Sequence, residues 1–284
     1  MKRWSLVVIL ALCAGLWAGW ARRPARAQAQ VQAQPKVRPD GMPVNFPFRE
    51  PDPRDFADHT GYVQIFNGKN LDGWDGDPSI WHVQGGDIVG VHKAGTNLNN
   101  TYLVYRGVKA KNFDLKLEIM DSGAGGSGVQ YRSVTGKPWL RGIRPGAPKP
   151  NLNWMMTGPQ ADFWPGPGFS SNFSGQLYIE NSPFGILAWR GQVVHVVPGH
   201  APRLVGTIGD RTALGAHVNA NGWNQYLIMA RGGTLIQVLN GQLTAVVVDD
   251  DASDVVNEPG YIGIEIESQP VTVSVRDVWL KKMP

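Results

Sequence analysis

Short runs in which apolar and polar residues alternate recur along most of the chain. FDLKLEIM at residues 113–120 and SGVQYRS at residues 127–133 are clear examples. Alternation with a period of two is typical of β-strands that bury one face. Asn240-Gly241, between two such runs, is a residue pair typical of a tight hairpin. The pattern predicts an all-β, antiparallel sandwich, and no segment shows the period of a long amphipathic helix.

The remaining strands are predicted from the same alternation and lie towards the end of the chain. They cover residues 223–230, 234–239, 242–248, 260–268 and 271–282. Two longer segments, 136–158 and 198–222, interrupt the strand pattern. Long loops on a β scaffold are usually functional or mobile, so we expect these two to wall a binding site.

The first 27 residues have the layout of a secretory signal peptide. Lys2 and Arg3 precede an apolar run at 6–20, and ARA at 25–27 fits a small-x-small cleavage site. A single membrane anchor is the alternative, but the run falls short of the roughly 20 apolar residues that a span needs. We therefore expect a periplasmic or secreted protein whose only membrane contact is through the signal peptide.

Removal of this leader changes the charge and the cysteine content. The leader carries five of the 27 basic residues and no acidic one, which leaves 22 basic against 23 acidic residues. Without a basic stripe, nucleic acid is not expected as a partner. Cys13 is the only cysteine, so no disulfide is expected in the mature chain. Residues 28–55, rich in Gln and Pro, predict a linker or arm, and residues 56–284 a single sandwich domain.

Two runs, PQADF at 159–163 and GQLYIEN at 175–181, carry polar residues where other strands carry Val, Leu and Ile. If they pair as neighbouring strands, their polar side chains share one face of the sheet. That face would hold Gln160, Asp162, Gln176, Tyr178 and Glu180, joined by Arg132 if Val129 and Tyr131 face the core. Carboxylates do acid or base work, and arginine stabilises an oxyanion. A solvated outer face with ordinary ion pairs is the alternative.

Other candidates for substrate binding surround these runs. Aromatic rings can stack on a pyranose, which makes Trp164 and Trp189 candidates. Arg190 and His195 follow closely and could reach the same rim. Glu265 and Glu267 alternate with isoleucines and could either join the polar face or point to solvent.

Metal binding has weaker support in the sequence. The six histidines show no HExxH or comparable ligand spacing. The acidic turn VVVDDDASD could supply oxygen ligands for calcium, but it lacks EF-hand spacing, which favours a solvated loop. A divalent cation, Ca²⁺ or a transition metal, is therefore kept as a possible cofactor with its ligands unknown.

GYVQIFNGKNLDGW at 61–74 resembles the opening of the 3-keto-disaccharide hydrolase domain family. FDLKLEIM, GGSGVQYRS, GPQADF, SGQLYIEN, GILAWRG and GYIGIEIES follow in the family's order, so the resemblance covers nearly all of 60–284. It implies a jelly-roll β-sandwich of the concanavalin A-like lectin/glucanase type, export, and action on glycosides whose C3 hydroxyl is oxidised to a ketone. In one departure, Glu265-Ile266-Glu267 stands where many members carry Gln-x-His.

The implied substrate suggests roles for the polar residues. A C3 ketone acidifies the C2 proton, so a base, an electrophile near the C3 oxygen and an acid near the glycosidic oxygen would drive elimination before hydration. We assign Glu180 or Asp162 as the base, Arg132 to the enolate oxygen, and Tyr178 or the second carboxylate as the acid. Two-carboxylate hydrolysis of an unoxidised glycoside is an alternative mechanism. A non-catalytic carbohydrate-binding module of the same fold is an alternative function.

Overall fold

A computed structural model describes residues 52–140, 143, 145–166, 169–251 and 255–284. The chain divides into two units, Met1–Pro53 and Arg54–Pro284, and the description below concerns the second. The predicted signal peptide and most of the predicted linker lie outside the described residues. None of the helices in the described part is long and apolar enough to cross a membrane.

The second unit is built almost entirely from β-strands. They are β1 Val63–Gln64, β2 Trp74–Asp75, β3 Trp81–Gln84, β4 Asp87–His92, β5 Thr101–Ala110, β6 Phe113–Gly123, β7 Ser127–Thr135, β8 Met156–Phe163, β9 Leu177–Glu180, β10 Gly185–Ala188, β11 Gln192–Val196, β12 Arg203–Thr207, β13 Asn224–Arg231, β14 Thr234–Leu239, β15 Gln242–Asp249, β16 Gly260–Ile266 and β17 Val271–Lys282. One short helix, α1 Arg211–Gly215, and 3₁₀ turns at Leu152–Trp154, Phe169–Asn172 and Val255–Asn257 complete the described elements.

The strands form two sheets, which confirms the predicted jelly-roll sandwich. The ten-stranded sheet has the order β12-β11-β15-β14-β13-β6-β17-β4-β3, with β1 paired to β17. The seven-stranded sheet has the order β10-β9-β8-β7-β16-β5-β2. Neighbouring strands are antiparallel except β11 and β15, which run parallel. The predicted strand positions are confirmed to within a few residues; the run at 260–268, for example, ends at Ile266.

Alternate residues of both sheets meet in one hydrophobic core. Leu115, Leu117 and Ile119 of β6 and Ile262 and Ile264 of β16 are fully buried in it. Burial of one such side chain stabilises the fold by about 1.5–3 kcal/mol. The residues between them in sequence therefore face away from the core, and this alternation fixes which side of each sheet is available for binding.

The hairpin predicted at Asn240-Gly241 joins β14 to β15. Both residues have positive φ, 49° and 76°. A type I′ turn requires positive φ at both central positions, and Asn and Gly adopt it at low cost. The local sequence therefore specifies this turn directly.

Asp121 places a carboxyl group on the core side near the end of β6, in the same alternation as Ile119. It is 5% exposed, and neither of its oxygens has a hydrogen-bond partner among the described residues. Burial, and then the negative charge of Glu265, raise the pKa of Asp121 well above its ordinary value of 3.8. Asp121 is therefore stabilised as a neutral acid in the folded protein.

We expect Asp121→Asn to remove a pH-dependent loss of stability. Because the folded state holds the Asp121 proton more tightly than the unfolded state, its contribution is complete below pH 3.8. That contribution is lost as the pH rises towards the folded-state pKa. Urea titrations at several pH values should show the variant gaining stability over the wild type as the pH rises. A difference in free energy of unfolding that stays constant with pH would contradict the raised pKa.

Candidate functional site

β8 and β9 pair as antiparallel neighbours, as the polar runs require. Gln160 lies opposite Tyr178, and Gly158 lies opposite Glu180. The residues between them, such as Ala161 and Leu177, face the hydrophobic core. The polar side chains of both strands consequently project from the outer face of the seven-stranded sheet.

These side chains line one cavity of about 240 Å³, which we call the sheet cavity. Its lining residues are Gln160, Asp162, Trp164, Phe173, Gln176, Tyr178, Glu180, Ile186 and Glu267. The structure thus brings together seven of the residues singled out from the sequence. The cavity is smaller than the roughly 300–1,000 Å³ typical of sites for drug-sized ligands. It therefore suits a ligand of about the size of one six-membered ring better than a longer one.

Asp162 is held in place by two side-chain amides. Gln160 Nε2 donates a hydrogen bond of 2.5 Å to Asp162 Oδ1, and Gln176 Nε2 donates to Asp162 Oδ2. Donors of this kind stabilise the ionised carboxylate and fix its orientation. Gln160 Oε1 in turn accepts a hydrogen bond from Gln130 Nε2, which fixes the direction of the Gln160 amide. Asp162 is consequently a rigid hydrogen-bond acceptor in the cavity.

Glu265 lies fully buried beneath this cavity, whereas Glu267 lines it. The structure thus resolves the orientation that the sequence left open. Tyr102 Oη and Asn100 Nδ2 donate hydrogen bonds of 2.7 and 2.9 Å to Glu265 Oε1. Gln160 Nε2 donates to Glu265 Oε2 at 2.7 Å. One amide group therefore bridges Glu265 and Asp162, so the buried carboxylate helps to orient the one in the cavity.

The environment of Tyr102 is strongly negative. Burial, followed by the charges of Glu180 and Glu265, raises the pKa of Tyr102 well above its ordinary value of 10. Its phenol therefore stays protonated and continues to donate to Glu265. Tyr102, Asn100 and Gln130 were missed by the sequence analysis. Tyr102 and Gln130 lie on strands, and Asn100 directly precedes one; which residues they meet depends on strand pairing, and no local sequence pattern marks them.

Arg132 does not face the sheet cavity, so its predicted contact with an enolate oxygen is wrong. The register between β7 and β8 shifts between Gln130 and Val134, and Arg132 has a φ of 47°. Such a bulge breaks the alternation that would have placed Arg132 beside Gln130. Its guanidinium instead donates to three backbone carbonyls, those of Lys111, Gly232 and Val256. Burial lowers its pKa to about 10.

Three further candidates lie outside the sheet cavity, contrary to prediction. His195 pairs with Asp250, with 2.7 Å between Nε2 and Oδ2. Trp189 packs its ring against the guanidinium of Arg211, 4.3 Å from the ring centre, and its only described link to the cavity is a 6.0 Å ring contact with Phe173. Arg190 lines a separate cleft. Closeness in sequence to the polar runs did not bring these side chains to the same face.

The predicted loop walls are also wrong for the described residues. None of the described residues that line the sheet cavity comes from 136–158 or 198–222. The segment between β8 and β9 supplies Trp164 and Phe173 instead, and their rings meet at 5.7 Å. Two aromatic residues of the stretch that joins the two polar strands, Trp164 and Phe173, thus form one wall of the cavity.

The family model for the 3-keto-α-glucoside-1,2-lyase-like domain matches residues 61–281. The chain belongs to this family. The match confirms the resemblance seen in the sequence and supports a carbohydrate-active function. The described part of the sheet cavity lies entirely within the matched residues. No curated protein matches the chain significantly.

Several solved structures are similar to this family member, and the one with a galectin-like fold agrees with its sandwich fold. Two structures from Parabacteroides distasonis, named as candidate glycosyl hydrolases, are 16% and 19% identical, each with a TM-score of 0.46. The alignments cover 78% and 79% of this chain and 99% and 95% of those chains. A Bacillus subtilis protein of unknown function with a galectin-like fold has a TM-score of 0.50 and 9% identity. That alignment covers 78% of this chain and 94% of that one. At such identities, the likeness concerns the fold alone.

Proposed function

We propose that this protein cleaves 3-keto-glycosides by elimination followed by hydration, with the oxidised sugar ring bound in the sheet cavity. The observation that carries the proposal is the placement of Asp162 and Glu180. Both line one cavity of about 240 Å³, within a domain of the 3-keto-α-glucoside-1,2-lyase-like family. One carboxylate can hold the ring while the other removes a proton from it.

Glu180 is the proposed base. It is 1% exposed, so water competes little for its carboxylate. Asp162, fixed by two amides, binds ring hydroxyls. Removal of the C2 proton by Glu180 moves its electron pair into an enolate whose charge rests on the C3 oxygen. The enolate then re-forms the ketone and expels the C1 oxygen, which gives an enone with a C1–C2 double bond. Addition of water across this double bond gives the free 3-keto sugar.

Uncharged hydrogen-bond donors stabilise the enolate oxygen and protonate the departing glycosidic oxygen. Among the described residues that line the cavity, none is Arg, Lys or His. Gln176 Nε2 makes one hydrogen bond, to Asp162, and its second N–H can donate to the enolate oxygen. Tyr178 lies on β9, between Glu180 on the same strand and Gln176 just before it, and lines the cavity. It is the proposed acid, donating its proton to the departing glycosidic oxygen.

Two-carboxylate hydrolysis of an unoxidised glycoside fits the geometry less well. Glu180 lies opposite Gly158, four residues from Asp162 along β8. At roughly 3.4 Å per residue, this places the Cα atoms of the two acids about 14 Å apart along the strand direction. Retaining glycosidases hold their carboxyl groups only about 5–5.5 Å apart. The spacing therefore favours separate roles for the two acids.

The described residues do not supply a set of ligands for a metal cofactor. Within the described ranges, no three His, Cys, Asp or Glu side chains come close enough together to hold a metal ion. The acidic turn considered for calcium is only partly described, and there Asp249 Oδ1 accepts a hydrogen bond from the backbone of Asp251. The proposed steps are accordingly assigned to protein side chains.

An assay with paired substrates tests the proposed function. Purified protein is incubated with a chromogenic 3-keto-glucoside and with the matching unoxidised glucoside, each with and without EDTA. Release from the keto substrate alone supports the proposal, and accumulation of the enone would show that elimination comes first. Release from both substrates at similar rates would overturn it in favour of ordinary hydrolysis. Binding of sugar without release would instead indicate a carbohydrate-binding module.

Export through the N-terminal leader is part of the proposal. Its support is the layout of basic, apolar and small residues at 1–27. N-terminal sequencing of protein recovered from the producing cell's periplasm or medium tests it. We expect a start at Gln28, and a protein that keeps its leader would contradict cleavage.

Replacement of Trp164 is expected to weaken substrate binding more than it slows the reaction. Its ring lines the cavity and packs on Phe173, where it can stack against the sugar. Loss of one aromatic contact of about 0.5–1.5 kcal/mol predicts that Trp164→Ala raises KM roughly two- to tenfold. Trp154→Ala is the matched control, because Trp154 bonds to Asp75 and lines a different cavity. Equal effects of both variants on KM would contradict the stacking role.

A further inference from the structure

A second and larger cavity, of about 710 Å³, lies beside the sheet cavity, and we call it the end cleft. Its lining includes Asp121, Gly123, Asn172, Arg190, Thr212 and Asn221. The Trp164–Phe173 ring pair lines the sheet cavity, while the chain neighbours Pro165 and Asn172 line the end cleft. The two cavities are therefore adjacent, with the ring pair between them. Neither the family match nor the proposed reaction assigns a role to the end cleft.

Arg190 carries a buried charge into the end cleft, where the charge of Asp210 favours it without forming an ion pair within the described residues. It is 3% exposed, and its Nε and Nη1 atoms donate to the carbonyls of Arg211, Ser171 and Ser174. None of the ion pairs between described residues includes Arg190, and no described residue accepts a hydrogen bond from its Nη2. A buried cation with only neutral partners is costly. The three carbonyls hold the guanidinium rigidly, so its remaining edge is preset for an anion.

Asp121 provides an independent sign of a missing partner in the same cleft. Its carboxyl group is 95% buried, lines the cleft, and has no hydrogen-bond partner among the described residues. As a neutral acid it carries an O–H donor. Arg190 favours an anionic ligand, whereas a cationic ligand would be repelled by it. Asp121 adds a second polar group without a partner among the described residues in the same cleft.

We propose that the end cleft binds an acidic sugar, with the sugar carboxylate accepting a hydrogen bond from Arg190 Nη2 and a sugar hydroxyl group bonding to Asp121. A cleft of about 710 Å³ is too large for a small inorganic anion and falls within the usual range for organic ligands. Its other polar lining groups, such as Asn172, Thr212 and Asn221, are uncharged and suit hydroxyl groups. This binding site does not depend on the reaction proposed for the sheet cavity.

Calorimetric titration of the whole mature protein with matched ligands tests the proposal directly. Methyl glucuronide should bind at least about tenfold more tightly than methyl glucoside, because only the former carries the carboxylate. Sodium sulfate serves as the probe for a simple anion site. Equal affinity for glucuronide and glucoside would overturn the proposal, and sulfate binding as tightly as the glucuronide would overturn the sugar part of it.

Variants of residues in the two cavities test whether the glucuronide binds in the end cleft. Arg190→Gln removes the charge, and Gly215→Ala keeps it but places a Cβ 2.3 Å from Arg190 Nη2, which must then move. Each variant should lose about tenfold or more in glucuronide affinity. Asp121→Asn keeps a donor and should bind nearly normally, whereas Asp121→Leu should bind weakly. Glu180→Gln, altered in the sheet cavity, should bind the glucuronide unchanged.

Folding controls keep these results decisive. Circular dichroism and thermal unfolding of each variant show whether a loss of affinity reflects a loss of structure. Should Arg190→Gln fail to fold, Gly215→Ala and the ligand pair still decide the question. Undiminished affinity in a folded Gly215→Ala variant would contradict a role for Arg190, and loss of affinity in Glu180→Gln would place the ligand in the sheet cavity.

Discussion

Glu180→Gln is expected to slow turnover of a 3-keto-glucoside by about 10²–10⁴-fold, the range that a positioned acid or base contributes. The amide has the same shape as the carboxylate but cannot accept the C2 proton. The position lies on β9 and is buried, so the isosteric change should preserve packing. Initial rates with the chromogenic keto substrate measure the effect.

The pH profile and a control variant separate this role from a structural one. Glu258→Gln removes the same charge at an exposed position and should leave the rate unchanged. The residual activity of Glu180→Gln should lose the acidic limb that the wild type shows when its base is protonated. A folded Glu180→Gln variant with the wild-type rate would exclude Glu180 as the base. Asp162, at the other end of the cavity, would then be the next candidate.

Arg132→Met is expected to lower the free energy of unfolding by about 3–5 kcal/mol, because three carbonyls lose their donor and each buried acceptor left unpaired costs about 1–3 kcal/mol. The substitution leaves the carbonyls of Lys111, Gly232 and Val256 without their donor. Gly232 follows β13, and Arg132 lies on β7, so the guanidinium ties the two sheets together. Urea unfolding followed by tryptophan fluorescence measures the change.

The matched control for this prediction is Lys111→Met. Lys111 supplies a backbone carbonyl to Arg132, but its own side chain is exposed, so its loss should change stability by less than about 0.5 kcal/mol. Folded Arg132→Met protein, assayed below its unfolding transition, should retain its KM and most of its turnover. A variant of normal stability with little turnover would restore the catalytic role first assigned to Arg132.

The sandwich and the polar face of the sheet cavity could be predicted because both rest on local alternation. In a strand, every second side chain points the same way, so Gln160 and Asp162 must share a face wherever the strand lies. The same holds for Gln176, Tyr178 and Glu180. Once β8 and β9 are neighbours, the two sets meet without further information.

Alternation by itself determined the strands, the turn at Asn240-Gly241 and the face on which the acids of β8 and β9 lie. It failed where the backbone leaves the regular strand, as at the β7 bulge that turns Arg132 towards Gly232. Alternation did not show how deeply a side chain is buried. Glu265 and Glu267 occupy equivalent positions in the pattern, although only Glu267 lines the cavity. Only the tertiary structure decided these points, because bulges, depth and strand neighbours depend on contacts between residues far apart in the chain.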